Sequence, residues 1–423
     1  MVVVIMAGGK GTRIASVNSE VPKSMIKVLG KPVLQYQIEV LRKQGYTDIV
    51  LVIGYLGNVI EDYFGDGKEF GVQIQYIREE VPLGTAGALY YLKDKISEDF
   101  LLLNGDIVFD VNIGRFAEVH KEKGGLVTIL THPNDHPYDS GVIIADSGGR
   151  VQGWKTREEN RTWYKNRVNA GLHMISPQIP VRLETPERKD LDRDILKPLI
   201  PEQQLYIYDS PEYIKDMGTP ERYHAVMEDI RSGLVQRKNL AEKQKAIFLD
   251  RDGTINRYVG FLADINDMEL IGGAAEAIRM INKSGYLAIV VTNQPVIARG
   301  EVSFGQLDRI HCKMETLLGE EGAYVDDIFF CPHHPDRGFA GERPEYKTEC
   351  SCRKPKDGMF RQAAEKYNID LQQSWMIGDG ENDILAGRNA GCQAAYIGRE
   401  KRPDALSYKD LLSAVKEIVR NHK

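Results

Sequence analysis

The chain has 423 residues, of which 42% are hydrophobic and 27% are charged. These proportions are ordinary for a globular protein with buried cores, and the length predicts two or three domains. The formal net charge of -6 argues against a nucleic-acid partner. No apolar run reaches the roughly 20 residues that a membrane span needs. The opening run MVVVIMAGGKGTR has no basic start and reaches glycine at once, which predicts a buried first strand and not a signal peptide.

Short apolar runs alternate with amphipathic stretches over the first half of the chain. The predicted strands cover residues 2–8, 48–54, 72–77 and 99–106, and residues 33–45 predict a helix between the first two strands. This alternation is typical of a mostly parallel sheet with helices on both faces.

A second series of the same kind begins at residue 245 and closes at 374–380. The stretch 233–244 between the two series is polar and carries no strong apolar stripe. The sequence therefore predicts an α/β protein of two Rossmann-like three-layer α/β/α domains, 1–232 and 245–423, joined by a linker at 233–244. The halves carry different motifs, which indicates a fusion and not a duplication.

A glycine-rich loop with nearby cations follows the first predicted strand. Its residues are Gly8, Gly9, Gly11 and Thr12. Glycines past the carboxyl end of a strand let backbone N–H groups approach phosphate oxygens. The spacing matches neither a P-loop nor a dinucleotide fingerprint. Arg13 and Lys23 add two cations, which favours a triphosphate as the ligand.

This loop resembles the GGxGTR…PK signature of the sugar nucleotidyltransferase family, and the resemblance extends through most of residues 1–225. It implies that a sugar 1-phosphate attacks the α-phosphorus of a nucleoside triphosphate and that pyrophosphate leaves. Arg13 and Lys23 would neutralise charge on the phosphates. Asp106 and Asp216 would hold Mg²⁺ against them.

The same resemblance implies contacts to the sugar and the base. The residues assigned this way are Gly84, Thr85, Lys155, Asn169 and Gly171. Lys155 would meet the sugar phosphate. It stands in the sequence GWKT where the family has Glu-Lys-Pro, and this departure bears on its assignment.

Two carboxylates follow the first strand of the second half. Asp250 and Asp252 are one residue apart, so their side chains share a direction at the strand end. Two neighbouring anions favour Mg²⁺, which prefers oxygen ligands. Later strands end in Thr292-Asn293-Gln294 and in Asp379, and Arg353-Lys354 supplies a basic pair.

The order DxDGT, T(N), K and GDxxxD resembles the haloacid dehalogenase-like phosphatases. The resemblance implies that Asp250 is the nucleophile, forming an aspartyl phosphate, and that Asp252 is the acid/base. Thr292 and Lys354 would neutralise the transferred phosphoryl group. The implied Mg²⁺ ligands are Asp250, the backbone carbonyl of Asp252, and Asp379, with Asp383 supporting the metal shell. The predicted substrate contacts are Asn293, Gln294 and Arg353.

Cysteine and histidine residues cluster between the second and third of these motifs. Cys331, Cys350 and Cys352, with His333 or His334, form the Cys₃His set of a closed structural Zn²⁺ site. Spacing alone leaves the two histidines open. The odd count of five cysteines favours a metal site in the cytoplasm over a disulfide framework.

The zinc loop, with DRDGTIN, TNQ and CRKPK, resembles the heptose 1,7-bisphosphate 7-phosphatases over essentially all of residues 245–400. This resemblance selects His333 as the zinc ligand and implies no large cap domain. Histidinol-phosphate phosphatases share the motifs. Pro295-Val296 and Gly380 depart from the pattern near the substrate phosphate and bear on anomer preference.

The fusion itself favours one pathway. A 7-phosphatase acting on D-glycero-D-manno-heptose 1,7-bisphosphate leaves heptose 1-phosphate, which a nucleotidyltransferase consumes. We therefore predict an enzyme that makes a nucleotide-activated heptose, with GDP as the first choice and CDP or dTDP open. The alternatives are a histidinol-phosphate-type phosphatase, and an N-terminal half without catalysis, which its intact Arg13, Lys23, Asp106 and Asp216 argue against. The sequence does not determine the oligomeric state, and a homo-oligomer is one possibility.

Overall fold

The computed structural model describes residues 1–9, 21–159 and 161–421, which form two compact units. The first unit comprises Met1–Thr131, Ile143–Trp154 and Asn169–Asn239, and the second comprises His132–Val142, Lys155–Val168 and Leu240–Lys423. The chain therefore contributes two short segments to the second unit before residue 240. The domain bounds 1–232 and 245–423 stay a prediction.

The strands lie within both halves of the chain. They are β1 Val3–Met6, β2 Lys27–Val28, β3 Lys31–Pro32, β4 Asp48–Ile53, β5 Gln73–Arg78, β6 Phe100–Asn104, β7 Ile107–Asp110, β8 Val127–His132, β9 Val142–Ala145, β10 Val151–Lys155, β11 Val168–Ile175, β12 Leu205–Asp209, β13 Tyr213–Asp216, β14 Lys245–Leu249, β15 Tyr286–Asn293, β16 Asp327–Cys331, β17 Trp375–Gly378, β18 Gln393–Ile397 and β19 Leu406–Tyr408.

The α-helices alternate with these strands. They are α1 Val33–Lys43, α2 Gly57–Phe64, α3 Ile113–Lys123, α4 Gln178–Val181, α5 Pro220–Arg231, α6 Leu234–Arg237, α7 Ala274–Asn282, α8 Phe304–Glu320, α9 Gly358–Tyr367, α10 Glu381–Ala390 and α11 Leu411–Asn421. The strands predicted in both halves of the chain and the helix predicted at 33–45 are confirmed.

The first sheet contains nine strands of the described residues, in the order β10-β9-β11-β6-β1-β4-β5, with β8 beside β11 and β12 beside β8. Its centre is parallel, since β1 pairs in parallel with both β4 and β6. Side chains alternate between two apolar clusters. Ile5 packs with Leu34 of α1 in one cluster, and Val4 packs with Leu89 in the other. This alternation produces three layers.

The second sheet is formed by six strands of the described chain in the order β16-β15-β14-β17-β18-β19, all paired in parallel. Leu249 of β14 packs on the same side as Ile278 of α7, and Phe248 packs on the other side with Phe360 of α9. Both predicted folds, the nucleotidyltransferase and the haloacid dehalogenase-like fold, are confirmed as α/β/α layers. Parallel order also brings the carboxyl ends of β14, β15 and β17 to one edge.

Helix α8 has a well-defined start. The side chain of Ser303 accepts a hydrogen bond from the backbone N–H of Gln306, and the Gln306 side chain accepts one from the backbone N–H of Ser303. This reciprocal pair satisfies two N–H groups that a helix end would otherwise leave unpaired. Among all helices that the structure describes, none combines the length and apolar character required to cross a bilayer.

Candidate active sites

The first site lies where β1 and β4 end. A Cβ added to Gly8 would stand 2.9 Å from Oε2 of Glu79 and 3.2 Å from the backbone nitrogen of Gly54. Gly9, by contrast, has open space around it. A side chain at position 8 would therefore require Glu79 to move and would press on the backbone of Gly54. Gly11, Thr12 and Arg13 lie outside the described residues.

The predicted magnesium ligands of this unit lie where β7 begins and β13 ends, and these two strands are paired. Asp216 is the last residue of β13 and pairs with Ile107 of β7, next to Asp106. Lys23 forms an ion pair with Asp106. The guanidinium of Arg222 lies 2.9 Å from Asp216 Oδ2. Burial raises the pKa of Asp216, but Arg222 and other donors outweigh it, so that pKa is lowered and the group is a carboxylate at neutral pH.

The loop with Gly84 and Thr85 is fixed to the segment around residue 190. Gly84 has φ +78°, and a Cβ there would stand 2.4 Å from the carbonyl oxygen of Lys189. The hydroxyl of Thr85 accepts a hydrogen bond from the backbone N–H of Leu191 at 2.7 Å and donates to Asp190 at 3.3 Å. The predicted loop is thus held by groups that the sequence motifs did not include.

The sugar-contact segment approaches the end of β6. Gly171 has φ +79°, and a Cβ there would stand 2.9 Å from Nδ2 of Asn104. The side-chain oxygen of Asn169 accepts from Gly171 N–H at 2.9 Å, and its amide donates to Asp192 at 3.2 Å. Burial, and then Asp190, raise the pKa of Asp192 to about 6. The structure therefore brings Asn169 and Gly171 close to the strand that leads to Asp106.

Lys155 is the last residue of β10 and is exposed. It belongs to the second unit, unlike Asn169 and Gly171. Its assignment to the sugar phosphate stays a prediction.

The second site lies at the carboxyl edge of the second sheet. Asp250 follows β14, and its backbone N–H donates to the carbonyl of Ile377 in β17 at 3.0 Å. Gly253 has φ +87°, and a Cβ there would stand 2.0 Å from Oδ2 of Asp379. The DxDGT turn must therefore have glycine here, because any side chain would occupy the position of that carboxylate.

One ammonium group joins two of the carboxylates. Nζ of Lys354 lies 2.6 Å from Oδ1 of Asp250 and 2.5 Å from Oδ1 of Asp383. Asn293 fixes the lysine: its Oδ1 accepts from the backbone N–H of Lys354, and its Nδ2 donates to the carbonyl of Lys354, both at 3.0 Å. The residue after Thr292 thus positions Lys354.

Three acidic side chains gather around this lysine. Single oxygens of Asp250, Asp379 and Asp383 lie within 4.8 Å of one another. Burial, and then the neighbouring Asp383, raise the pKa of Asp250 to about 7. Burial and Asp383 also raise the pKa of Asp379 to about 6. Crowded carboxylates with raised pKa values fit a divalent cation, because such an ion would offset their repulsion.

The carboxylate of Asp252 accepts hydrogen bonds from several neighbouring side chains. Nη2 of Arg251 lies 3.0 and 2.7 Å from its two oxygens, and Asn256 and Gln294 donate to it at 3.0 and 2.9 Å. Residue spacing predicted that Asp250 and Asp252 point the same way. Arg251 pairs with the Asp252 carboxylate, which still lies close enough to Asp250 and Asp379 to raise their pKa values. The three carboxylates that could share a metal ion are those of Asp250, Asp379 and Asp383. Gln294 also donates to Oγ1 of Thr292 at 3.0 Å.

The cysteine cluster has the geometry of a four-ligand metal site. The three Sγ···Sγ distances among Cys331, Cys350 and Cys352 are 3.5, 3.2 and 3.3 Å. Nδ1 of His333 lies 3.7 Å from Cys331 and 3.4 Å from Cys352. A tetrahedral site with Zn–S bonds of about 2.3 Å has sulfur–sulfur edges of about 3.8 Å, a few tenths of an ångström longer than the distances here. The four donors are close enough together to hold one metal ion, and their chemistry suits Zn²⁺.

His334, the neighbour of His333, hydrogen-bonds to the backbone outside the cluster. Nδ1 of His334 accepts a hydrogen bond from the backbone N–H of Asp336 at 3.2 Å. The cluster is connected to the predicted substrate contact Arg353, which donates from its backbone to Cys350 Sγ at 3.3 Å and from its guanidinium to the carbonyl of His333 at 3.1 Å.

Sequence reasoning missed several residues near these sites. The clearest examples are Glu79, Asp192, Arg251 and His311, whose Nε2 lies 3.1 Å from Nη1 of Arg251. Arg251 was visible within the DRDGT motif as a charged residue at a strand end. The others stand in no motif, and only tertiary contacts place them near the assigned residues.

Comparison with known proteins agrees with both halves. A nucleotidyl transferase family model matches residues 2–233, and a HAD-hydrolase-like model matches residues 351–416. The D-glycero-beta-D-manno-heptose-1,7-bisphosphate 7-phosphatase of Haemophilus ducreyi is 42% identical over 157 residues, which are 37% of this chain and 84% of that protein.

The mannose-1-phosphate guanyltransferase of Saccharomyces cerevisiae is 33% identical over 245 residues, which cover 57% of this chain and 66% of the yeast protein. The crystal structure of HddC from Yersinia pseudotuberculosis, complexed with GMP-PN, is 27% identical with a TM-score of 0.47, covering 54% of this chain and 99% of HddC.

Fold, sites and relatives together define an enzyme with a nucleotidyltransferase half and a phosphatase half. The chain belongs to the nucleotidyl transferase family over residues 2–233, and its second half belongs to the family of the heptose-bisphosphate 7-phosphatases.

Proposed function

We propose that this enzyme carries out two successive steps towards a nucleotide-activated heptose. The C-terminal half removes the 7-phosphate of D-glycero-D-manno-heptose 1,7-bisphosphate. The N-terminal half then transfers a nucleotidyl group, GMP from GTP, to the heptose 1-phosphate that remains. The observation that carries the proposal is the occurrence in one chain of a 7-phosphatase half and a guanyltransferase-like half, since the product of the first is the substrate class of the second.

In the phosphatase step, an oxygen of Asp250 attacks the phosphorus of the 7-phosphate, and the sugar C7 oxygen leaves. The ammonium of Lys354, 2.6 Å from Asp250, neutralises charge on the phosphoryl group. Water then hydrolyses the aspartyl phosphate and releases inorganic phosphate. Mg²⁺ held by Asp250 and Asp379 would supply further charge neutralisation when bound.

Asp252 is suited to both proton transfers of this step. Burial raises its pKa, but Arg251, Asn256 and Gln294 outweigh burial and lower it, so the resting group is a carboxylate able to accept a proton from water. The negative charge of a bound phosphate monoester raises the pKa of a neighbouring carboxyl. The substrate itself therefore favours the protonated form, which gives its proton to the leaving oxygen.

In the transferase step, an oxygen of the sugar 1-phosphate attacks the α-phosphorus of GTP and pyrophosphate leaves. Lys23 and Arg13 offset the charge of the phosphates. Asp106 and Asp216 would hold Mg²⁺, which would add charge neutralisation when bound. Asn169, backed by Asp192, binds a sugar hydroxyl. These roles rest on the family motifs and on the proximity of the residues along β6, β7, β11 and β13.

Glu79 supports guanine as the base. Its Oε1 accepts a hydrogen bond from the backbone N–H of Leu83 at 3.3 Å. Its Oε2 lies beside Gly8 and Gly54, which have no side chains to cover it. A carboxylate can accept two adjacent hydrogen bonds, and the Watson–Crick edge of guanine offers two adjacent donors, N1–H and the 2-amino group. Adenine, cytosine and thymine each lack this pair of donors.

³¹P NMR of the intact chain tests the proposal. Heptose 1,7-bisphosphate, Mg²⁺ and GTP should give inorganic phosphate, pyrophosphate and GDP-heptose, with CTP and dTTP reacting more slowly. Histidinol phosphate serves as the comparison substrate for the phosphatase half. Release of the anomeric phosphate without formation of a sugar nucleotide would overturn the pathway.

A further inference from the structure

The side chain of Arg251 is enclosed by protein and is 0% exposed. Its Nη2 donates to both oxygens of Asp252 and to Oε1 of Gln294 at 3.0 Å. Its Nη1 lies 3.1 Å from Nε2 of His311. Asp252 and His311 therefore engage the two ends of one guanidinium, and the orientation of that group sets the orientation of the carboxylate.

His311 lies on α8 and is also buried. Burial, and then the adjacent Arg251 cation, lower its pKa well below the usual value, so the imidazole is neutral. A neutral imidazole accepts a hydrogen bond at one ring nitrogen, and Nε2 is the nitrogen that faces Arg251. His311 thus acts as the acceptor that fixes the far side of the guanidinium.

Helix α8 is itself held one turn further on by residues of the segment 155–168. Glu315 accepts from the backbone N–H of Asn166 at 3.0 Å and from Arg167 at 3.3 Å. Arg167 is buried and also donates to the carbonyl of Asp326 at 2.9 Å. Positions 311 and 315 are four residues apart and so lie on one face of the helix. The face that contacts Arg251 is therefore anchored.

We propose that His311 is a positioning residue for the phosphatase reaction, which through Arg251 holds the Asp252 carboxylate in line with the leaving oxygen. This inference rests on the proposed function of the C-terminal half. His311 touches neither the substrate nor the reacting atoms, and its effect passes entirely through the guanidinium.

The loss of rate caused by misaligning Asp252 depends on the leaving group. An alkyl oxygen, such as the C7 oxygen of a sugar, needs a proton as the P–O bond breaks, whereas 4-nitrophenolate leaves without one. General acid catalysis contributes about 100-fold to 10,000-fold where it is needed. Misalignment of Asp252 should therefore slow an alkyl phosphate much more than an aryl phosphate, while a general loss of folding slows both equally.

The test compares His311→Leu with His311→Gln in the full chain, because the glutamine side-chain oxygen can still accept from Arg251. With heptose 1,7-bisphosphate, the leucine variant should lose about 10-fold to 100-fold in kcat with KM within about twofold, and the glutamine variant should stay within about threefold of the parent. With 4-nitrophenyl phosphate, the leucine variant should lose less than about threefold. Glu315→Gln should give a smaller loss of the same selective kind.

The zinc content of each variant reports on folding of the C-terminal half, and its transferase activity reports on the N-terminal half. If His311→Leu does not fold, Arg251→Lys serves in its place, because lysine keeps the cation but cannot span Asp252 and His311. Equal loss with both esters, or equal activity of the leucine and glutamine variants, would overturn the inference. A parent enzyme that hydrolyses neither ester would instead overturn the proposed function.

Discussion

The ammonium of Lys354 lies 2.6 Å from Oδ1 of Asp250, and both groups are buried. Burial lowers the pKa of Lys354, but Asp250 and Asp383 outweigh it and raise that pKa, so the lysine is a cation. One cation does not balance three carboxylates. The site therefore carries excess negative charge, which a divalent cation would offset before an anionic phosphoryl group can bind.

The two activities should be separable by single substitutions. Asp250→Asn removes the nucleophile and should reduce phosphate release by about 1,000-fold or more, while pyrophosphate release from GTP and a sugar 1-phosphate persists. Asp106→Asn should do the reverse. Separate assays of phosphate and pyrophosphate measure both. Loss of both activities in either folded variant would contradict the two-site assignment.

Binding of Mg²⁺ to the phosphatase site should weaken as the pH falls. Asp250 and Asp379 have pKa values raised to about 7 and about 6, so their protonated forms prevail below those values and compete with the ion. Above these pH values the two groups are ionised carboxylates and can bind Mg²⁺, so affinity falls as the pH falls. Between about pH 8 and pH 5.5, the apparent Kd for Mg²⁺ should rise about 100-fold.

Calorimetric titration of Mg²⁺ into Asp106→Asn protein measures this dependence while weakening the transferase site. A Kd that is constant across the range would show that these carboxylates do not bind the ion.

The cysteine cluster should hold one zinc ion for structural reasons. Binding of Zn²⁺ to such ligand sets contributes about 10–16 kcal/mol in small peptides, and this energy appears as folding free energy. Cys350→Ser should lower zinc content and loosen the backbone of Arg353, which donates to Cys350 Sγ. Phosphatase activity should fall and transferase activity should survive.

Elemental analysis and the two activity assays measure this prediction. Cys312→Ser, on α8 and outside the cluster, is the matched control and should keep its zinc. Absence of tightly bound zinc from the parent protein would refute the structural role.

Glu79→Gln should weaken selection of guanine. Loss of one charge-assisted hydrogen bond should lower kcat/KM for GTP by about 10-fold to 100-fold. ITP lacks the 2-amino group, so the preference for GTP over ITP should shrink in the variant. The control is Glu80→Gln, an exposed neighbour with the same change of charge. An unchanged ratio of GTP to ITP would exclude Glu79 from base recognition.

Arg353 should favour a doubly phosphorylated substrate. Each charge-assisted contact to a second phosphate is worth roughly 1.5–3 kcal/mol, so the bisphosphate should exceed a monophosphate by about tenfold or more in kcat/KM. Arg353→Gln should remove most of this preference. Lys356→Gln, which removes a nearby exposed cation paired with Glu349, should leave it intact. Equal kcat/KM values for the two substrates in the parent enzyme would contradict the prediction.

The sequence alone determined both α/β/α folds and most of the residues proposed for the sites. Apolar periodicity predicted β1, β14 and β15 because each is a short buried strand, and burial selects residue type strongly. Asp250 was found because its chemistry requires a particular side chain at the end of a strand, and Lys354 because it stands in a recognisable motif in the loop before α9. His333 was selected over His334 by resemblance, and the described distances support that choice.

The tertiary structure decided which side chains meet. The polar segment 155–168 shows no pattern that predicts packing on α8, since a pattern in one element does not encode its partner in another. Glu315 and Arg167 are 148 positions apart and come together only in the folded chain. The pairing of Asp252 with Arg251 and Gln294 was likewise not predicted from the motif. Spacing along a strand fixes a direction, whereas the final position of a charged group depends on every donor that surrounds it.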